Sequence, residues 1–202
     1  IMGRVHVDEK YIHVGHQHGY DLNAIDSKTK YVLAHSYVVK RTTRACVEFL
    51  RQVKTTCYSQ ILDTYRRERS KPAGKRKPIV FVSDGFQNYR NAFNKLFYRT
   101  CNLRFGVPIA CRKYGLEHNN NPIERYNGSL EDRLKTMRDF GSQLGAEGFL
   151  DLNRVVHNFV NPHMSLKGRT PAEAAQIDLV LGREKLLNLI RMYAKKTHHS
   201  LR

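Results

Sequence analysis

Three carboxylates stand out in a chain otherwise dominated by lysine and arginine. Asp8 lies in "VHVDEKYI", Asp84 in "FVSDG", and Glu124 in "HNNNPIERYNGSLEDRLKTMRDF" (residues 118–140). Each has a modest local reading. Asp8 is a polar residue in an alternating stretch, with Glu9 beside it. Asp84 with Gly85 reads as a turn. Asn121 is a good helix N-cap, Pro122 suits the first helical position, and Glu124 sits three residues after the cap, as in a capping box. Brought together, the three would do something else. Carboxylates held close repel, and one takes up a proton. A divalent cation removes the conflict, and all-oxygen ligands suit Mg²⁺ or Mn²⁺. Two such ions can clamp an in-line displacement at phosphorus.

Whether they meet depends on the elements that carry them. Residues 4–14 alternate apolar and polar, as a strand does. A turn near Gly15 to Gly19 leads to a second strand, "YDLNAID", and "SKTK" turns into a third, "YVLAHSYVV". Three strands with short connections predict an antiparallel meander. A helix is expected over residues 42–66, with Val47, Leu50, Val53 and Cys57 on one face. "YRRERSKPAGKRK" (65–77) reads as an exposed basic loop. "PIVFVSD" is a buried parallel strand ending in Asp84, "FQNYRNAFNKLFY" a helix, and "CNLRFGV" a weaker strand; helices dominate from Pro122 onward. This is the element order of the RNase H-like fold: α/β, a mixed five-stranded sheet with a three-strand antiparallel meander, flanked by helices. In such a sheet the first and fourth strands are neighbours, so Asp8 and Asp84 face each other and Glu124 swings in from a later helix.

The chain has 202 residues, 41% of them hydrophobic, enough for one substantial domain. Its net charge of +17 points to a polyanionic partner. No apolar run approaches a membrane span, and no signal peptide is visible, so a cytoplasmic protein is expected. Four cysteines without a C-x-x-C pair read as reduced thiols. A zinc site from Cys101, Cys111 and His118 matches no standard spacing. His13, His16 and His18 stand among glycines that favour a hairpin turn over a metal site.

These segments resemble the DDE transposases of bacterial and archaeal insertion sequences, within the retroviral integrase superfamily. "VHVDEKYI" is similar to the family's opening strand, with Asp8 as first acid. "VSDGFQNYRNAF" is similar to the second-acid segment, with Asp84 and the following Tyr89. "NNNPIERYNGSLEDRLKTMRDF" is similar to the third-acid helix, with Glu124, and "NFVNPHMSLKGRTPAEAA" (158–175) to the closing segment. The likeness covers nearly the whole chain. It implies a catalytic domain over 1–182 that cuts a DNA phosphodiester with water and joins the freed 3′-hydroxyl to target DNA. Asp8, Asp84 and Glu124 would be its catalytic and metal-binding residues, for two Mg²⁺ or Mn²⁺ ions. Its implied partners are the DNA of element ends and target, and further copies of itself in the active complex, near the nucleoid.

The chain also departs from the family. The 39 residues between Asp84 and Glu124 exceed the commonest spacing, which suggests an insertion in "GVPIACRKYGLEH". A basic residue usual seven positions after the third acid is Glu131 here; Lys135 and Arg138, on nearly the same helix face as Glu124, would take over DNA contact together with Arg125. A histidine usual in that helix is Asn127, and no tryptophan exists near the first acid or elsewhere. No helix-turn-helix is legible; the chain opens on Ile1, which leaves room for a domain upstream. Residues 183–202 read as a basic amphipathic helix whose apolar side packs on the domain or joins another subunit. Two alternatives stay open: an inactive or domesticated derivative that binds DNA without cutting, and an RNase H-like nuclease.

Overall fold

The computed structural model describes residues 1–107, 120–137 and 139–200, the last five as backbone only. Cys111, His118, Arg138 and most of the expected insertion lie outside the described residues. The chain opens with strands β1 (Val5–Val14), β2 (Gln17–Asp26) and β3 (Val32–Val38). They pair antiparallel in sequence, as the meander predicts. Gly15 takes φ +57° in the tight β1–β2 turn, a left-handed conformation that glycine adopts without steric cost. His13 and His18 pair across this hairpin with ring centroids 4.6 Å apart. After α1 (Thr43–Thr56) and α2 (Tyr58–Arg69) come β4 (Val80–Ser83), α3 (Gln87–Phe97) and β5 (Asn102–Arg104). Helices α4 (Asn121–Met137), α5 (Gln143–Phe159), α6 (Pro171–Ala174) and α7 (Lys185–Ser200) follow. The five strands lie in the order β3-β2-β1-β4-β5, with β4 and β5 parallel to β1. This mixed sheet with flanking helices is the RNase H-like arrangement.

Alternation along β1 decides the layers. Val5 and Val7 point to one face and join Leu22, Ala24 and Phe81 beneath α1 and α3, whose Phe49, Leu50, Val53, Phe93 and Phe97 are buried there. His6, Asp8, Lys10 and Ile12 have the opposite parity and face α4 and α5. Ile12 packs with Leu130, Phe140, Ala146 and Leu150 on that side. Asn158 of α5 fastens the edge strand β3, accepting from the Val32 N–H at 2.9 Å and donating to the Val32 carbonyl at 3.0 Å. The Asp26 carboxylate does similar work at the end of β2, accepting from the N–H groups of Met2, Gly3, Lys28 and Thr29.

The expected helix over 42–66 is two helices, because Cys57 leaves helical geometry at φ −115°, ψ 14°. The bend keeps both Cys57 and Ile61 in the core. The basic loop is shorter than read, since α2 runs to Arg69. Cys46, Cys57 and Cys101 are free and buried. On α7 the side chains of Leu186, Leu187, Ile190 and Tyr193 keep much of their surface exposed, and the first three line a groove with Val160, Pro162 and Gly168. Among the described residues no helix is long and apolar enough to cross a membrane.

His35 on β3 bridges sheet and helix. Its Nδ1 meets Asp21 of β2 at 3.0 Å and its Nε2 meets Asp151 of α5 at 2.9 Å, with Arg154 nearby on α5. Burial alone would lower the imidazole pKa, but the bonds and charges of Asp21, then Asp151, outweigh it and raise it. The stabilisation is therefore full below the unfolded value of about 6.5 and is lost as pH rises through the higher folded value. His35→Gln should remove this dependence: in urea titrations across pH 5.5–9 the stability gap between native chain and variant narrows toward high pH. A constant gap would refute the charged bridge.

Candidate active site

Parallel pairing of β1 with β4 runs Val5 with Phe81, His6 with Val82 and Val7 with Ser83. One step further, the same register sets Asp8 alongside Asp84. Both share the parity of His6 and Val82, the α4 side of the sheet. Asp84 stands one residue past the end of β4, where ligands gather in parallel sheets. Its Oδ1 accepts the Phe86 N–H at 3.0 Å, so the Asp-Gly turn exists and fixes this carboxylate. Asp8 is not a solvent-facing strand residue, being only 8% exposed.

Glu124 enters from α4, in its first turn. The helix begins one residue earlier than its sequence suggests. Asn120, not Asn121, takes the capping position: its carbonyl accepts from the N–H groups of Ile123 and Glu124, both at 3.2 Å. The Asn120 side chain turns instead to His6 Nδ1 at 3.1 Å, in a buried contact that ties α4 to β1. Burial pushes the His6 pKa down to about 4, so this imidazole is neutral at ordinary pH. The capping-box reading of Glu124 does not hold, since among the described residues its carboxylate makes no hydrogen bond to the helix end.

The electrostatics converge on Asp8. Burial, then the charge of Glu124, then those of Glu9 and Asp84 push its pKa up to about 8. Asn127 Nδ2 donates to Asp8 Oδ2 at 3.1 Å, while Asn127 Oδ1 is buried without a partner. Among the described residues no three His, Cys, Asp or Glu side chains are drawn together into a ligand set. Mutual repulsion of the carboxylates opposes a closer approach. The donor chemistry nonetheless fits a hard divalent cation: all ligand atoms are oxygens, and a positive charge between them would lift the repulsion that adds to burial in raising Asp8.

Neighbouring residues brace this arrangement. Glu9, on the opposite face of β1, pairs with Arg41, whose guanidinium lies over the rings of Tyr20 at 4.5 Å and Phe86 at 4.7 Å. Asn88 Nδ2 donates to the Arg41 carbonyl at 2.7 Å. The clamp therefore joins β1 and β2 to the residues just after Asp84. The basic residues read from the sequence separate. Lys135 lies beside Glu131 and Asp132, at 3.7 and 3.9 Å, whereas Arg125 projects into a different cavity against α5. Glu131 is engaged with Lys10 of β1 at 2.7 Å. Lys10 escaped sequence reasoning, although its parity with Asp8 on β1 was visible there.

A carboxyl held above its unfolded pKa destabilises the fold when ionised. Stability is fully present below the unfolded range and is lost as pH rises toward about 8. Asp8→Asn should therefore raise the melting temperature in metal-free buffer at pH 8, with the difference shrinking toward pH 4. Added Mg²⁺ should stabilise the native chain and not the variant. Equal melting temperatures at pH 8 would contradict this placement of Asp8.

A family model described as a DDE domain, of the IS240 transposase type, matches residues 2–163. No curated protein matches the chain by sequence. Among solved structures, a chain in the simian T-cell lymphotropic virus intasome bound to PP2A regulatory subunit B56 gamma superposes with TM-score 0.55 at 12% identity. That match covers 85% of this chain and 53% of the other, so this chain spans about half the length of the protein it resembles. The HTLV-2 integrase catalytic core in complex with magnesium gives TM-score 0.46 at 13% identity, over 84% and 92% of the two chains. The catalytic domain of Mos1 mariner transposase gives 0.45 at 14%, over 73% and 67%. The likeness to the intasome chain speaks for the fold, and the family match extends over most of the sequence: the chain belongs to the DDE domain family of transposases.

Proposed function

We propose that the chain cuts a DNA strand and joins the resulting 3′ end to a second DNA site, using Asp8, Asp84 and Glu124. The observation that carries this reading is the buried Asp8, set by the β1–β4 register beside Asp84 and raised in pKa by burial first, then by the charges of Glu124, Glu9 and Asp84. The three carboxylates would hold two Mg²⁺ or Mn²⁺ ions, which supply an activated hydroxyl and neutralise charge at the phosphate.

The chain's own residues do the positioning. Asn127 holds Asp8 Oδ2, the Phe86 N–H holds Asp84 Oδ1, and the Glu9–Arg41 clamp steadies the turn that carries Asp84. Glu124 is half-buried at the start of a helix anchored through Asn120 and His6, which leaves its side chain room to move toward substrate. The positive surface holds DNA, with Arg125 and Lys135 contributing. Glu131, where a base is usual, does not leave the region without a cation, because it sits against Lys10. That contact favours an active enzyme over an inactive DNA-binding derivative. The acting species is a homo-oligomer on DNA, with the exposed apolar face of α7 available for contact between copies.

Asp84→Asn should abolish cleavage and joining of duplex DNA with Mg²⁺ or Mn²⁺ while DNA affinity stays within a few fold. A variant that still cuts would sink the assignment of Asp84, and a native chain that binds DNA but never cuts would favour the derivative. DNA affinity should also fall steeply with salt, since each phosphate contact contributes a slope of about 0.9 in log K against log salt. Measured by fluorescence anisotropy, a flat salt response would refute charge-driven binding.

A further inference from the structure

A cationic cavity lies on a neighbouring face of α4. A cavity of about 200 Å³ opens between α4, α5 and the β2–β3 turn. Lys30, Arg125 and Arg133 line it, and among the described residues no carboxylate does. Asn153, Asn161 and Ser129 add neutral polar groups. His157 and His163 complete the wall; His157 Nε2 is tied to the Lys30 carbonyl at 2.8 Å, and His163 Nδ1 accepts from the Ser165 N–H at 3.2 Å.

Among the described residues these cations have no carboxylate partner, and Lys30 Nζ donates to the Ser27 carbonyl at 2.5 Å. Among the described residues neither Arg125 nor Arg133 forms an ion pair or a side-chain hydrogen bond. The carboxylate nearest in effect to Lys30 is Asp26, which is already engaged by four backbone N–H groups. Burial and then the charge of Arg125 lower the Lys30 pKa. Burial, then Lys30 and Arg125, lower that of His163. Like charges gathered around a walled cavity repel in the free chain, and an anion entering it relieves that repulsion. Arginine forks with hydroxyl and amide donors match a phosphate's oxygens. The first turn of α4 borders the cavity through Pro122, which adds the positive end of a 17-residue helix.

We propose that this cavity is a phosphate-binding site, and that its occupant is a backbone phosphate of the DNA being processed. The choice of DNA rests on the reading given under Proposed function. Arg125 is the residue next to Glu124 on α4, so the cavity lies one helix face away from the candidate active site, about 10 Å across. A strand held at the carboxylates presents its neighbouring phosphates within that reach. The site would fix the strand's position without reading sequence.

The test measures binding without cleavage, in EDTA, on the full chain. Labelled duplex DNA is titrated by fluorescence anisotropy with native chain, with Arg133→Gln and with Arg125→Gln/Arg133→Gln. A control, Arg66→Gln/Lys95→Gln, removes the same charge from exposed helix positions on α2 and α3. The single variant should lose affinity about threefold and the cavity double variant about tenfold or more, with its salt slope reduced by about 0.9 per lost contact. The control should change much less. In parallel, the imidazole NMR signals of His157 and His163 are followed. DNA should shift them at micromolar concentration, and inorganic phosphate or a 5′-mononucleotide only at millimolar concentration. Equal losses in the cavity variant and the control would overturn the site. Micromolar binding of the mononucleotide, with DNA affinity untouched by the cavity variant, would overturn DNA as the source. Absence of DNA binding by the native chain overturns the transposase reading as well, whereas DNA binding fully kept by the double variant overturns this inference alone.

Discussion

Everything in the candidate site depends on the ladder between β1 and β4. Three residue pairs of parallel bonding set the level at which Asp8 meets Asp84 and the side of the sheet they share. A one-residue slip would turn Asp8 toward the apolar layer under α1 and α3, where Val5 and Val7 now lie. The penalty for burying His6 and Asp8 among phenylalanines, set against the gain from placing the valines there, is what makes that slip unfavourable. The fold's largest apolar cluster and its most polar site are thus enforced by the same alternation.

The site is also expensive electrostatically, and the structure confines that cost. Burial and the repulsion of its neighbours both appear in the raised pKa of Asp8, and several of the side chains around it are tied down. Asn127 binds Asp8, Asn120 binds His6, and Asp84 closes its own turn. On the far face Glu9 pairs with Arg41, which is stacked on aromatic rings. One strained carboxylate is thereby held in a frame with little freedom to relax.

Much of this was legible in the sequence, and the parts that were not share a cause. The β1 alternation, the short apolar β4 ending in Asp84 and the amphipathic α4 are local patterns, and each appears where periodicity placed it. The break at Cys57 carries no glycine or proline, so the helical period runs through it; only the folded core, which takes in both Cys57 and Ile61, reveals it. Among Asn119, Asn120 and Asn121, local propensity cannot select the cap, because the choice depends on His6, 114 residues away in sequence from Asn120. Lys10 and Glu131 meet across 121 residues. Glu131 taken alone reads as a missing base; paired, it is the partner of a base supplied by another strand.

Asp26 has a consequence for how the sheet opens. Its two oxygens gather amides from Met2 and Gly3 on one side and from Lys28 and Thr29 on the other. A chain end ordinarily frays residue by residue, each amide exchanging its hydrogen with water on its own. Here two segments remote in sequence share one acceptor, so neither is released cleanly while the other stays bound. The first residues and the β2–β3 turn are joined in a single local opening event, and their amides belong to one cooperative unit rather than to a loose terminus and a separate loop.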